Sequence, residues 1–156
     1  MVDALQARRG VQVTGAVTPG AALGDLPRCE NPRPLLTSLG LTPSAYASGA
    51  RRRQGGLPKT GKTHARRALV EGAWASRDPA HVSRPRQLRL EKLPTPIQDT
   101  SWKAQVRLCT RDRPLRARGK NPHHVVVAMA RARMAWMWAM AQQVPVLASS
   151  GRPYGP

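Results

Sequence analysis

Proline and glycine set the terms on which this chain can fold. Fifteen prolines and thirteen glycines are spread through 156 residues. Each proline removes a backbone donor and breaks a helix interior. The aromatic supply is thin, with four Trp, two Tyr and no Phe. Such a composition implies a small core and long loops, in a piece that leans on something else for burial. No run alternates apolar and polar residues strongly enough to predict a half-buried strand. The expected fold is therefore mainly α: a small helical domain with long basic Gly/Pro-rich loops and partly disordered termini.

Several helices can be placed. Val2 to Arg9 reads as a short helix, and the apolar run from Val11 is broken at Pro19 and Gly20. Leu35 to Leu39 is a short apolar helix or turn stopped by Gly40. The segment from Thr42 to Thr63 reads as a loop. A helix then runs from about Thr63 to Ser76, with Ala65, Ala68, Leu69, Gly72 and Ala73 on its apolar stripe and Arg66 and Arg67 facing outward. Arg77 to Pro96 is a linker with a helical piece around Gln87 to Lys92. Asp99, Thr100 or Ser101 can cap the next helix. Its apolar face holds Trp102, Val106 and Cys109, its basic face Lys103, Arg107 and Arg111, and a basic turn from Arg111 to Lys120 ends it. The last helix spans about His124 to Gln142, with Val126, Met129, Ala130, Met134, Met137 and Ala141 as its stripe. The domain is expected over residues 1–142, with 143–156 as a disordered tail.

Charge points to the partner. Lys and Arg number 26 against 8 Asp and Glu, a formal net charge of +18. A polyanion is then the default ligand, and arginine forks match phosphate oxygens bidentately. No stretch reaches the roughly 20 apolar residues needed to span a bilayer, and Met1 to Gly10 lacks the core of a signal peptide. No membrane partner is expected, and the cytoplasm is the expected compartment, near the nucleoid in a bacterium. Cys29 and Cys109 lie too far apart in sequence to form a metal-ligand pair.

Gly40 to Leu69 concentrates the chemistry. Ser48 precedes Gly49 and the triplet Arg51, Arg52 and Arg53. A serine attacking a phosphodiester needs nearby cations for the charge that builds on the phosphate oxygens, although a Ser-Gly pair is more commonly a turn. Gly56-Leu-Pro-Lys-Thr-Gly61-Lys62-Thr63 fits the Walker A pattern. A P-loop also needs a buried strand before it and an apolar strand ending in Asp after it. Neither is present, so the pattern is read as a flexible loop facing phosphate. Seven Lys or Arg and no acid lie between Gly49 and Leu69, which tilts this segment from a solvated face toward nucleic-acid binding. The eight acids are scattered singly and the histidines show no ligand spacing, so no metal site and no cofactor is expected in this chain.

Taken together, Leu39 to Leu69 resembles the C-terminal domain of the insertion-sequence 110/116/902 transposases, also known as bridge-RNA-guided recombinases. The likeness continues through Val70-Glu-Gly-Ala-Trp74, Leu88-Arg-Leu-Glu-Lys92, Ser101-Trp-Lys-Ala-Gln-Val-Arg-Leu-Cys109 and Ala117-Arg-Gly-Lys120. Upstream, Leu5-Gln-Ala, Arg9-Gly-Val-Gln12, Leu23-Gly-Asp-Leu26 and Asn31-Pro-Arg33 fit as well. About four-fifths of the chain is covered. The resemblance implies a DNA transposase or recombinase acting through a serine nucleophile. Ser48 matches that serine, with Ser44 as the nearby alternative. Arg51, Arg52, Arg53, Lys59, Lys62, His64, Arg66 and Arg67 fall in the segment expected to face nucleic acid. It further implies DNA and a guide RNA as partners, a possible homo-oligomer, and a RuvC-like domain bearing the acids and Mg2+. That acidic domain is not found in this sequence, so a truncated piece, inactive alone, is expected. Departures include Pro19 and Gly20 in place of an apolar helix, Cys29 for an aromatic, Lys62 for Asn, and Ala130-Arg-Ala-Arg-Met134 in the last helix. The alternative reading is a non-catalytic basic DNA- or RNA-binding module.

Overall fold

The computed structural model describes residues 21, 26, 29–48, 51–58 and 60–143. The expected helix Val2 to Arg9, the run from Val11 to Gly20, Lys59 and residues 144–156 of the expected tail lie outside these residues, while Gln143 is helical. The fold is mainly helical. Helix α1 spans Arg33–Ser38, α2 Thr63–Ala73 with a 3-10 turn Trp74–Arg77, α3 Arg84–Leu90, α4 Thr95–Ala117 and α5 Pro122–Gln143. Strands β1 (Ala45–Ser48) and β2 (Arg51–Gln54) stand between α1 and α2.

Helix α5 is the centre. Val125, Val126, Met129, Ala130, Met134, Met137, Met140 and Ala141 are all buried on it. The entire predicted stripe is therefore core. Four of the chain's five methionines sit here, each at 0% exposure. Methionine's unbranched thioether fills irregular gaps, and it serves here where Phe is absent. Burying one such side chain is worth about 1.5–3 kcal/mol, so these four together rival the net stability of a small domain.

Two helices pack on α5. From α2 come Ala65, Leu69, Gly72 and Ala73, the stripe expected from the sequence, with Ala68 half-buried beside them. From α4 come Leu108, which joins the main core, and Ala104 and Cys109, buried on the same helix. Ile97 closes a smaller cluster with Met140. Only residues 118–121 connect α4 to α5, and Thr100 near the start of α4 hydrogen-bonds Gln143 at the end of α5 (3.1 Å). The pair is thus an antiparallel helical hairpin. Upstream, the Trp138 indole and the Gln142 amide both donate to the Cys29 carbonyl (2.8 and 3.2 Å). That contact holds the segment leading into α1, whose Leu35, together with the adjacent Leu39 and Leu41, enters the same core.

The structure departs from the sequence reading in several places. The loop Thr42 to Thr63 contains a two-stranded antiparallel hairpin with Ser48 opposite Arg51, Ala47 opposite Arg52, Tyr46 opposite Arg53 and Ala45 opposite Gln54. Backbone bonds between Ser44 and Gly56 and between Gly55 and Ser44 extend the ladder. Each strand is only four residues long, too short a run for alternation to announce it. Helix α4 begins at Thr95 with Pro96 in its first turn, where the missing N–H is harmless. Asp99, Thr100 and Ser101 are consequently inside the helix and cap nothing. The same helix runs through Pro114 to Ala117 instead of turning at Arg111. Asp112, 1% exposed, pairs with Arg116 at 2.5 Å across that proline and braces the turn it weakens. Finally, Trp102 and Val106 are exposed (46% and 38%) while Cys109 is buried, because the buried face of α4 is Ile97, Ser101, Ala104, Gln105, Leu108 and Asp112. In the linker the helical piece covers Arg84–Leu90 rather than Gln87 to Lys92, and Arg86 and Gln105 both donate to the His81 carbonyl.

Candidate nucleic-acid interface

The segment that sets up α2 is clamped from two sides. Gly61 has φ 102°, and a Cβ built on it would lie 2.8 Å from the Gly40 nitrogen and 2.9 Å from Leu39 C and Ser38 O. The loop therefore lies backbone to backbone on the end of α1, a contact that only glycine permits. The Lys62 amide donates to the Ser38 carbonyl (3.1 Å). From the other side, Arg66 Nη1 donates to the carbonyls of Pro58 (3.0 Å) and Thr60 (3.1 Å). Helical spacing predicts an outward-facing Arg66; instead it is half-buried and plugs its own loop.

This geometry explains why the Walker A letters do not make a P-loop. In a P-loop the backbone amides converge on phosphate. Here the loop turns two carbonyls inward onto a guanidinium and gives the Lys62 amide to α1. The strand before it, β2, belongs to a two-stranded hairpin and not to a buried parallel sheet.

What remains outward is cationic. Lys62 precedes the first turn of α2 with no side-chain cap there, so the positive end of the helix dipole is open to an anion. Lys62 and His64 are exposed. Arg67 is exposed too, and its Nε donates to Glu71 Oε1 at 2.7 Å. That hydrogen bond, and then the Glu71 charge, raises the Arg67 guanidinium above its ordinary value. Upstream in the hairpin, the backbone of Ser48 pairs with that of Arg51, with Arg52 and Arg53 following along β2. Lys59 lies outside the described residues. The structure thus brings Lys62, His64 and Arg67 to one helix start, joins Ser48 to the arginine triplet through strand pairing, and assigns Arg66 to the scaffold.

Two features were not read from the sequence. Arg133, 2% exposed on α5, donates to the Gly72 carbonyl at 2.6 Å. It satisfies one of the last carbonyls of α2, where a cation is favoured. Burial pushes its guanidinium down to about 10, so it stays charged at neutral pH. Trp74 collects three rings or cations: the Arg77 and Arg116 guanidinium carbons lie 5.5 and 5.8 Å from its centroid, and His123 meets it edge-on at 6.0 Å. His123 and His124 are exposed and lie in the first turn of α5. Among the described residues no three His, Cys, Asp or Glu gather to hold a metal, and no helix is long and apolar enough to cross a membrane.

Residues 2–87 match the family model described as Transposase IS116/IS110/IS902 family, which makes this mainly helical, cation-rich chain a transposase-family protein by class. Over 143 residues, 92% of the chain, it is 40% identical to the protein named "Putative transposase y4qE" of Sinorhizobium fredii (strain NBRC 101917 / NGR234). The chain belongs to the IS116/IS110/IS902 transposase family. It spans 37% of the length of that relative. No solved structure matches it.

Proposed function

We propose that this chain is the DNA-binding, serine-bearing part of an insertion-sequence transposase, acting in DNA transposition and recombination. Ser48 is its nucleophile, and the acidic half of the site comes from a RuvC-like domain. The observation that carries this reading is the β1–β2 register, in which the Ser48 backbone is the direct partner of Arg51 at the head of an arginine triplet. In the reaction Ser48 Oγ forms a bond to a backbone phosphorus, the displaced deoxyribose oxygen leaves and takes a proton, and the Ser48 hydroxyl gives one up. Arg51, Arg52 and Arg53 balance the charge on the phosphate oxygens. Lys59, Lys62, His64 and Arg67 hold flanking phosphates, and Arg66 keeps the loop that presents them. The carboxylates for metal binding belong to the RuvC-like domain, as does the Mg2+ they would hold. A guide RNA choosing target and donor, and a homo-oligomer on bacterial nucleoid DNA, complete the assembly.

The test uses the full chain with nicked and junction DNA in Mg2+, with and without a RuvC-like domain added as a separate polypeptide. The expected result is salt-sensitive binding by the chain alone, no covalent adduct alone, and a Ser48-dependent protein–DNA adduct once the acidic domain is present. An adduct formed by this chain alone overturns the division of the site. Binding unaffected by Ser48→Ala, with no adduct in any combination, returns the chain to a non-catalytic nucleic-acid-binding module.

A further inference from the structure

The outer face of α4 carries a groove that the Ser48 reading does not use. It measures about 690 Å³ and runs between α4 and Trp136 of α5. Trp102, Val106 and Trp136 supply its apolar surface, and Lys103, Arg107 and Arg111 its charge. Trp102 and Val106 are exposed large hydrophobics, in a chain that has only four tryptophans to spend on its core. The cations recur every four residues, so they follow each other along α4 at about 6 Å intervals. No acidic residue lines the groove.

We propose that this groove binds single-stranded DNA, with unpaired bases stacked on Trp102 and Trp136 and the phosphates following Lys103, Arg107 and Arg111. The chemistry is that of a stacking platform beside a basic track, which is how proteins hold single strands without reading sequence. A paired duplex keeps its bases stacked on each other and offers no ring faces to the tryptophans, so the apolar half of the groove discriminates against it. Charge complementarity disfavours a basic segment as occupant and favours a polyanion. Thr110 gives its hydroxyl proton to the Val106 carbonyl at 2.8 Å, so it has no proton to offer a ribose 2′-hydroxyl, and the strand is assigned as DNA because the chain belongs to a transposase family. The groove shares no residue with the α2 segment or the hairpin, so the proposal stands or falls independently of Ser48.

The experiment is fluorescence anisotropy on the full chain with a fluorescein-labelled oligothymidylate of about 12 nucleotides, within the usual site size. A duplex of the same length, an abasic strand and the matching RNA serve as comparisons. Trp102→Ala is expected to weaken oligothymidylate binding about tenfold, duplex and abasic binding less than twofold, with Trp102→Phe recovering most of the loss. Trp102 is half-exposed, so its truncation opens no core cavity, and circular dichroism checks that the fold is kept. Replacing Lys103, Arg107 and Arg111 together with Gln is expected to flatten the salt dependence on single strands by about 2 in slope, three contacts at roughly 0.7 each. Equal losses on duplex and single strand, an abasic strand that loses as much as the base-bearing one, or tighter binding of RNA each overturns the proposal. Trp102-dependent binding of an acidic helical peptide in preference to oligothymidylate does so as well.

Discussion

Replacing Gly61 by alanine tests the clamp that positions α2. The residue has φ 102°, and the added Cβ would stand 2.8–2.9 Å from three backbone atoms of Ser38, Leu39 and Gly40. Two costs combine. Forcing an L-residue into positive φ costs roughly 1–2 kcal/mol. Overlap with backbone, which cannot swing aside like a side-chain tip, adds about 1–3 kcal/mol. The expected destabilisation is about 3 kcal/mol. At about 2–4 °C per kcal/mol for a chain of this length, Tm should fall by about 6–12 °C. The bond from the Lys62 amide to Ser38 has to stretch as the loop lifts off α1. Gly56 is the internal control, because a Cβ there meets nothing within 4 Å. Gly56→Ala should lie within about 0.5 kcal/mol of the parent. Urea unfolding followed by far-ultraviolet circular dichroism measures all three proteins. If Gly61→Ala and Gly56→Ala unfold at the same urea concentration, the backbone contact between the loop and α1 does not exist and the account of how α2 is mounted fails with it.

Other expectations follow from the same geometry. Glu71→Gln frees the exposed Arg67 from its partner, so DNA affinity at low salt should rise about threefold, in line with one additional phosphate contact; unchanged or weaker binding in a mobility-shift titration argues that Arg67 faces no phosphate. Met134→Ala, at a fully buried position on α5, should cost about 2–5 kcal/mol and Met134→Leu less than about 1.5 kcal/mol, both read from urea midpoints. The Arg133 guanidinium is pushed down to about 10 by burial. The folded state therefore sheds that proton before the unfolded state does, and the desolvation penalty, fully present below pH 10, is relieved as pH rises from there toward the ordinary arginine value. Relative to Arg133→Met, the parent should gain up to about 1.4 kcal/mol per pH unit in that window and nothing between pH 6 and 9; a constant difference between the two proteins from pH 8 to 11 contradicts this.

The helices that carry the core were legible because their signals are local. The α5 stripe from Val126 to Ala141 repeats at helical spacing, and the α2 positions Ala65, Leu69, Gly72 and Ala73 do the same, so burial follows from period alone. The hairpin was not legible, since Ala45–Ser48 and Arg51–Gln54 are each too short a run for alternation to announce them. Trp102 was misplaced because an aromatic at a helical position reads as core; which arc of α4 is buried depends on α5, which fills the arc of Ala104, Leu108 and Asp112. At the candidate site, Ser48 and the arginine triplet stood out as neighbours in sequence, but their pairing across two strands came from register.

What the sequence determined by itself was the mainly helical class, the excess of cations and the transposase family. What only the tertiary structure decided was which cations are available. Arg66 is committed to the carbonyls of Pro58 and Thr60, Arg133 to Gly72, and Arg116 to Asp112 and the Trp74 ring. Lys62, His64 and the Lys103, Arg107 and Arg111 track line solvent-facing surface. The reason is physical: a guanidinium has the same charge whether it meets water, a phosphate or a buried carbonyl, and only packing sets which of these lies within hydrogen-bond reach.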